Sequence, residues 1–380
     1  MKKLLILVIA LAIISGVAFA GDNQSAKYIR ILSREAATDS IDIAYFNPAG
    51  TAFLQEGFHV QLNGQTIYLN YSHTNNLNAT DYSMQNWIPF VPSAYLGYAS
   101  GKWAAFASYT IPEGGGSLDY DLVSLILPGP SVEEGSLIAS SATHAISVGG
   151  SYQITPMFSV GIRGEMSIGS DSFDADFATL GGAATLKTSG IGYGGTFGMH
   201  FRPMEELNFS VTVESAQKID MEEKDSSGNP GTLGVLRGAA PTNVDRPWKI
   251  RSGLSYAFPF GLEIPVSFKY NFWKAVDDTT LQNSWSTSMG MRFWLTEGLE
   301  ISVGGSYATG NVQDSQIDTS YLNPELNSIT LAGGIGWEII ENLNLDNGVL
   351  YPFYTGADGT AFSNLNSQVI DMVIGIGYVF

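Results

Sequence analysis

The sequence predicts an all-β chain: a transmembrane antiparallel β-barrel of about 14 strands, with its N-terminal segment inside the lumen as a plug. Three observations carry that expectation. The first residues read as an export signal. Only 14% of the residues are charged, whereas 12% are aromatic and 43 of 380 are Gly. Apolar and polar residues alternate along most of the chain. Soluble domains usually carry about a quarter of charged residues. After residue 20 no apolar run reaches the roughly 20 residues of a spanning helix. For an exported chain of this kind the membrane solution is a closed barrel, because closure removes unpaired strand edges.

The export signal has the expected parts. Lys2 and Lys3 form a positive start, residues 4–17 an apolar stretch, and Ala18, Phe19 and Ala20 a small-residue cleavage site before Gly21. The expected division is a signal peptide at 1–20, a plug at 21–56 and a barrel at 57–380. Removing the signal leaves 16 Lys+Arg against 36 Asp+Glu, a net charge of -20. Such an acidic chain is a poor match for nucleic acid, which needs a basic patch. With no Cys there is no disulfide framework and no thiolate metal site.

The strand signals come next. From Phe158, the residues Phe158, Val160, Ile162, Met166 and Ile168 share one face, with Ser159, Arg163, Glu165 and Ser167 opposite. Ile250, Leu254 and Tyr256 alternate with Lys249, Arg251 and Ser255, and Ile301, Val303 and Tyr307 with Glu300, Ser302 and Ser306. The final stretch places Ile370, Met372, Ile374, Ile376, Tyr378 and Phe380 together. Period two with one apolar face is the barrel pattern. A soluble sandwich has the same period. Charge in mid-strand on the polar face, aromatics near strand ends (Phe272, Trp273, Phe293, Trp294) and a terminal aromatic favour the barrel.

Strands are expected to start near residues 58, 91, 103, 143, 158, 189, 207, 247, 263, 285, 299, 327, 343 and 368. Short turns at 155–158, 202–208, 259–263, 295–300 and 340–344 should join paired strands. Long polar runs at 113–142, 171–188, 220–246, 275–284, 309–326 and 355–367 should form outer loops. Residues 21–56 lack strand signals, and a barrel this wide admits something inside.

Two blocks resemble a known family. The stretch ending in Asn47, Pro48, Ala49 and Gly50 resembles the plug signature of FadL-type outer-membrane transporters of long-chain fatty acids and other hydrophobic compounds. Residues 85–116, opening on Asn86, Trp87 and Pro89, look like that family's second and third strands. The resemblance implies a 14-stranded plugged barrel in the bacterial outer membrane. It implies that the Asn47 turn sits near an inward bend of the third strand, here Pro112, Gly114, Gly115 and Gly116. The bend would leave a lateral gap through which a hydrophobic ligand passes into the membrane by passive diffusion. Pro112 lacks a ladder donor and the glycines permit kinks, while an Asn side chain can serve unpaired backbone groups.

The remaining motifs give the candidate contacts. Alternation turns Arg163, Glu165, Arg202, Lys249, Arg251, Glu263, Lys269, Arg292 and Asp371 toward the lumen. Salt bridges to the plug are the plainer expectation; Arg163, Lys249, Arg251 or Lys269 holding a ligand carboxylate is the sharper one. Leu122, Val123, Leu125, Ile126 and Leu127 form an apolar run in an expected outer loop, a landing patch for a hydrophobic ligand. The terminal Phe380 resembles the recognition signal read by barrel assembly machinery. His59, His73, His144 and His200 lack metal spacing, and the G-x-G-x-x-G at residues 190–195 lies within a strand pattern with no helix after it. The expectation is therefore a monomeric transporter in contact with outer-membrane lipid, with no cofactor, metal or catalytic site. A porin-like channel is the alternative, and a barrel enzyme a weaker one.

Overall fold

In the computed structural model the described residues are 24–126, 132–277, 281–311, 326–355 and 362–380. Residues 1–23, with the expected signal segment, lie outside them. The strands are β1 (Gly57–Asn75), β2 (Thr80–Ser100), β3 (Trp103–Ile126), β4 (Val132–Thr155), β5 (Phe158–Phe177), β6 (Gly182–Met204) and β7 (Leu207–Glu214). There follow β8 (Glu222–Gly228), β9 (Lys249–Phe258), β10 (Leu262–Asn271), β11 (Ser284–Thr296) and β12 (Leu299–Ala308). The last are β13 (Ser328–Ile340), β14 (Leu343–Tyr354) and β15 (Phe362–Val379). All but β8 form an antiparallel ring of neighbours, with β7 beside β9, and β15 closes it on β1. The ring is the expected 14-stranded barrel. The added β8 pairs with the far end of β6.

The faces follow the alternation. Ile162, Val303, Leu331 and Ile374 are more than half exposed, whereas Ser159, Arg163, Arg251, Glu300 and Asp371 are buried in the lumen. Because the exterior is apolar and the strands close into a ring, the surface suits hydrocarbon rather than water. The five short turns lie where expected.

The polar runs at 113–142 and 171–188 are a correction. Most of their residues are strand: β3 reaches Ile126, β4 starts at Val132, and β5 and β6 meet at a short 3-10 turn, Ala178–Leu180. Toward this end the alternation inverts. Asp119, Asp174 and Asp176 face out, while Leu118, Tyr120, Phe173, Phe177 and Leu186 pack inside. Beyond the bilayer the outer face meets water, so the apolar side turns inward and the stretch reads as polar.

The plug comprises α1 (Ala26–Ile31), α2 (Ile43–Phe46) and a 3-10 turn, Pro48–Phe53. Ser25 caps α1 by accepting the Tyr28 N–H, and Leu32 ends it in the left-handed region at φ 57°. Ile41, Ile43, Tyr45, Phe46 and Leu54 pack against Tyr95 and Phe106 of the wall.

The face assignment makes a direct prediction. Leu254→Arg on the lipid side should cost about 2–4 kcal/mol near the midplane and lower the folded fraction in a heat-modifiability gel. Ser306→Arg, facing a lumenal cavity, should insert normally; equal losses in both would refute the assignment.

Candidate functional site

The wall is interrupted between β2 and β3. Their ladder runs from Ser100 and Trp103 to Ala94 and Tyr109 and then stops, although both strands continue. Past that point β3 keeps its pairing with β4, with register slips at Thr110/Glu113, Gly114/Gly116 and Tyr120/Val123. Pro112 has no N–H to offer a ladder. Gly114 adopts φ +73°, and a Cβ there would collide with the Ser141 carbonyl, so only glycine fits the bend.

Side chains take over the lost pairing. The Ile111 N–H donates to Gln24 Oε1 at 3.0 Å, and Gln24 Nε2 donates to the Ile111 carbonyl at 2.9 Å. The hydroxyls of Ser93 and Tyr95 donate to the Gln24 carbonyl at 2.6 and 2.9 Å. Further along, Asn86 Nδ2 of β2 donates to the Ser117 carbonyl and, at 2.9 Å, to Ser117 Oγ on β3. The first described residue of the plug thus fills a place in the ladder.

The Asn47 turn lies elsewhere. Asn47 Oδ1 accepts the Ala49 N–H at 3.1 Å, and its Nδ2 donates to the Met199 carbonyl of β6 at 3.3 Å. Ser159 Oγ of β5 donates to the Ala49 carbonyl at 2.7 Å, and Thr51 bonds Ser151 of β4 at 2.7 Å. Gly161 and Gly198 let the wall approach this closely, since a Cβ on either would strike the turn. The expected placement of Asn47, Pro48, Ala49 and Gly50 beside the third-strand bend is therefore corrected: the turn is seated on β4–β6, and Gln24 serves the bend. Sequence reasoning missed Gln24 because the amide and its strand partner are 87 positions apart, with no local pattern marking either.

The lumenal charges are mostly engaged with one another. Glu214 lies 3.5 Å from Arg163, 3.3 Å from Arg246, 3.4 Å from Lys249 and 3.9 Å from Arg251. Arg246 also pairs with Glu165 and, at 3.2 Å, with Glu113 of the bend. Arg163 donates to the carbonyls of Ala44 and Tyr45, and the Arg163 and Arg251 guanidinium groups lie 5.1 and 5.3 Å from the Tyr45 ring centre. Arg163, Lys249 and Arg251 thus contact plug or wall; Lys269 lies apart from this group and lines a separate cavity. A second group ties α1 down: Arg30 pairs with Glu300 and, at 2.9 Å, with Asp346, while Arg292 reaches Asp39 at 2.9 Å and Glu263 at 2.8 Å.

At the long-loop end Ile88, Val91, Ile111, Leu118 and Tyr120 border the interruption and belong to one large apolar cluster. The helix α3 (Pro230–Ala239) adds Leu236 to it. This helix is tied to β8 by Arg237, whose paired bonds of 2.9 and 2.8 Å hold the Glu223 carboxyl down at about 2. The landing patch is corrected. Leu122 and Val123 are on β3 rather than in a loop, so they face opposite ways: Leu122 is exposed and Val123 buried in the cluster. Leu125 and Ile126 also belong to β3, and Leu127 lies outside the described residues.

No protein-family model matches the chain, and no curated protein matches it by sequence. Solved structures do. A Pseudomonas aeruginosa FadL homologue superposes with a TM-score of 0.70 at 13% identity, covering 93% of this chain and 98% of its own. The toluene transporter TodX of P. putida gives 0.66 at 13%, covering 91% and 96%, and the toluene transporter TbuX of Ralstonia pickettii 0.63 at 14%, covering 90% and 95%. The chain has the FadL-type barrel fold. Within this FadL-type barrel, the interruption and the apolar cluster share the β1–β6 side of the lumen, while α1 is anchored by ion pairs on the opposite side.

Proposed function

We propose that the protein passes hydrophobic molecules, long-chain fatty acids among them, across the bacterial outer membrane by passive diffusion, and that they leave sideways between β2 and β3. One observation carries this reading: the wall is unpaired where it borders the apolar cluster, and a plug side chain stands in for the missing ladder. An apolar solute gains about 25 cal/mol per Å² of surface removed from water, so a lumenal compartment of this kind favours it over polar solutes. The fold shared with structures named as toluene transporters supports the same class. The porin-like alternative is disfavoured by the plug, whose described residues are packed and ion-paired inside the ring.

Proteoliposomes test the reading. Those containing the protein should accumulate a labelled long-chain fatty acid faster than empty vesicles while excluding a small sugar. Passage of the sugar, or no gain for the fatty acid, would overturn it.

A further inference from the structure

Half-way round the ring from β3, the lumen is lined differently. The register sets Ser267 beside Ser288 and Lys269 beside Ser286, and Ser288 beside Ser306. Inward positions recur every second residue, so these side chains of β10, β11 and β12 form one polar pad. With Asn271, and with Glu35 of the plug, they line a cavity of about 170 Å³, which has room for several waters or a glyceryl group.

Two features describe what suits this space. Asn271 is only 8% exposed, and its Nδ2 donates to Ser284 Oγ at 2.9 Å. Its Oδ1 is buried with no hydrogen-bond partner among the described residues, which carries a desolvation penalty until a donor fills the cavity. The lining is also balanced in charge: Lys269 and Glu35 both line the cavity, and the Glu35 carboxylate accepts from Ser267 Oγ. A hydroxyl donates to Asn271 and accepts from the serines. An ionised carboxylate has no proton for Asn271, and a hydrocarbon leaves every one of these groups unmet.

We propose that this cavity is a subsite for a neutral, hydroxyl-bearing headgroup, so that the preferred guest is an acyl chain esterified to a polyol, its tail across the lumen on the apolar cluster. This rests on the reading of the barrel as a channel for hydrophobic molecules and names the class of molecule more closely.

The test is competition with a fluorescent acyl probe on the full-length protein in a zwitterionic detergent, using monolauroylglycerol, laurate and toluene. Monolauroylglycerol should bind at least tenfold more tightly than laurate. Asn271→Leu, similar in size, and Ser286→Val should each weaken it at least tenfold, leaving toluene binding and the melting temperature as in the unmodified protein. If laurate binds as well as monolauroylglycerol, or if both variants keep full affinity for it, the pad is only a hydrated lining and the proposal is overturned. If the unmodified protein binds none of the three, the channel reading falls and the proposal falls with it.

Discussion

Uptake should fall at least tenfold when β3 is straightened, and rise when Gln24 is truncated, while the barrel stays folded in both cases. Replacing Pro112 with Thr, and Gly114, Gly115 and Gly116 with Val or Thr, supplies a ladder donor and removes the left-handed φ at Gly114. β-branched residues there favour a regular strand, so β3 should pair onward with β2 and close the interruption that now begins past Tyr109. Gln24→Ala acts in the other direction. It removes both bonds to Ile111, a loss of about 1–3 kcal/mol where the groups are buried. At about 1.4 kcal/mol per decade, that weakens the closed state several-fold or more. Hydrophobic uptake should increase accordingly, with heat-modifiability as in the unmodified protein. A straightened barrel that still takes up labelled fatty acid at the original rate would rule out lateral exit and favour a route through the lumen.

Arg30→Leu should loosen the plug and leave the wall standing. The guanidinium is buried between Glu300 and Asp346. Removing one partner of a buried ion pair costs about 3–5 kcal/mol, because the remaining charge is left uncompensated. Here Asp346 loses the cation it pairs with, while Glu300 keeps Arg292 at 2.9 Å. The wall is held by its ring of paired strands, so the plug should bear the loss. Ion conductance in a planar bilayer should rise from near zero, and protease should reach the plug. Adding Asp346→Asn removes the unpaired charge and should restore the closed state. Unchanged conductance and protease resistance in Arg30→Leu would show that Arg292, Arg163 and the apolar contacts hold the plug without it.

The wall was legible from the sequence because alternation is local: each strand residue reports the solvent on its own face. Ile162 against Arg163, Leu254 against Arg251 and Val303 against Glu300 all turned as the period required, and the short turns marked the strand pairs. A plug at the front followed from the lack of strand pattern there. The same locality misled at the long-loop end. Asp119, Asp174 and Asp176 look like loop residues until paired strands carry them beyond the bilayer, where water lies outside the wall and apolar side chains fill it. What only the tertiary structure decided are contacts between residues far apart in the chain. Gln24 meets Ile111, Arg30 meets Glu300 and Asp346, the Asn47 turn settles on β4–β6, and serines of three strands form one pad. Closing the ring and filling it makes these contacts, and they depend on register and on the path of the plug, neither of which leaves a periodic trace in the sequence.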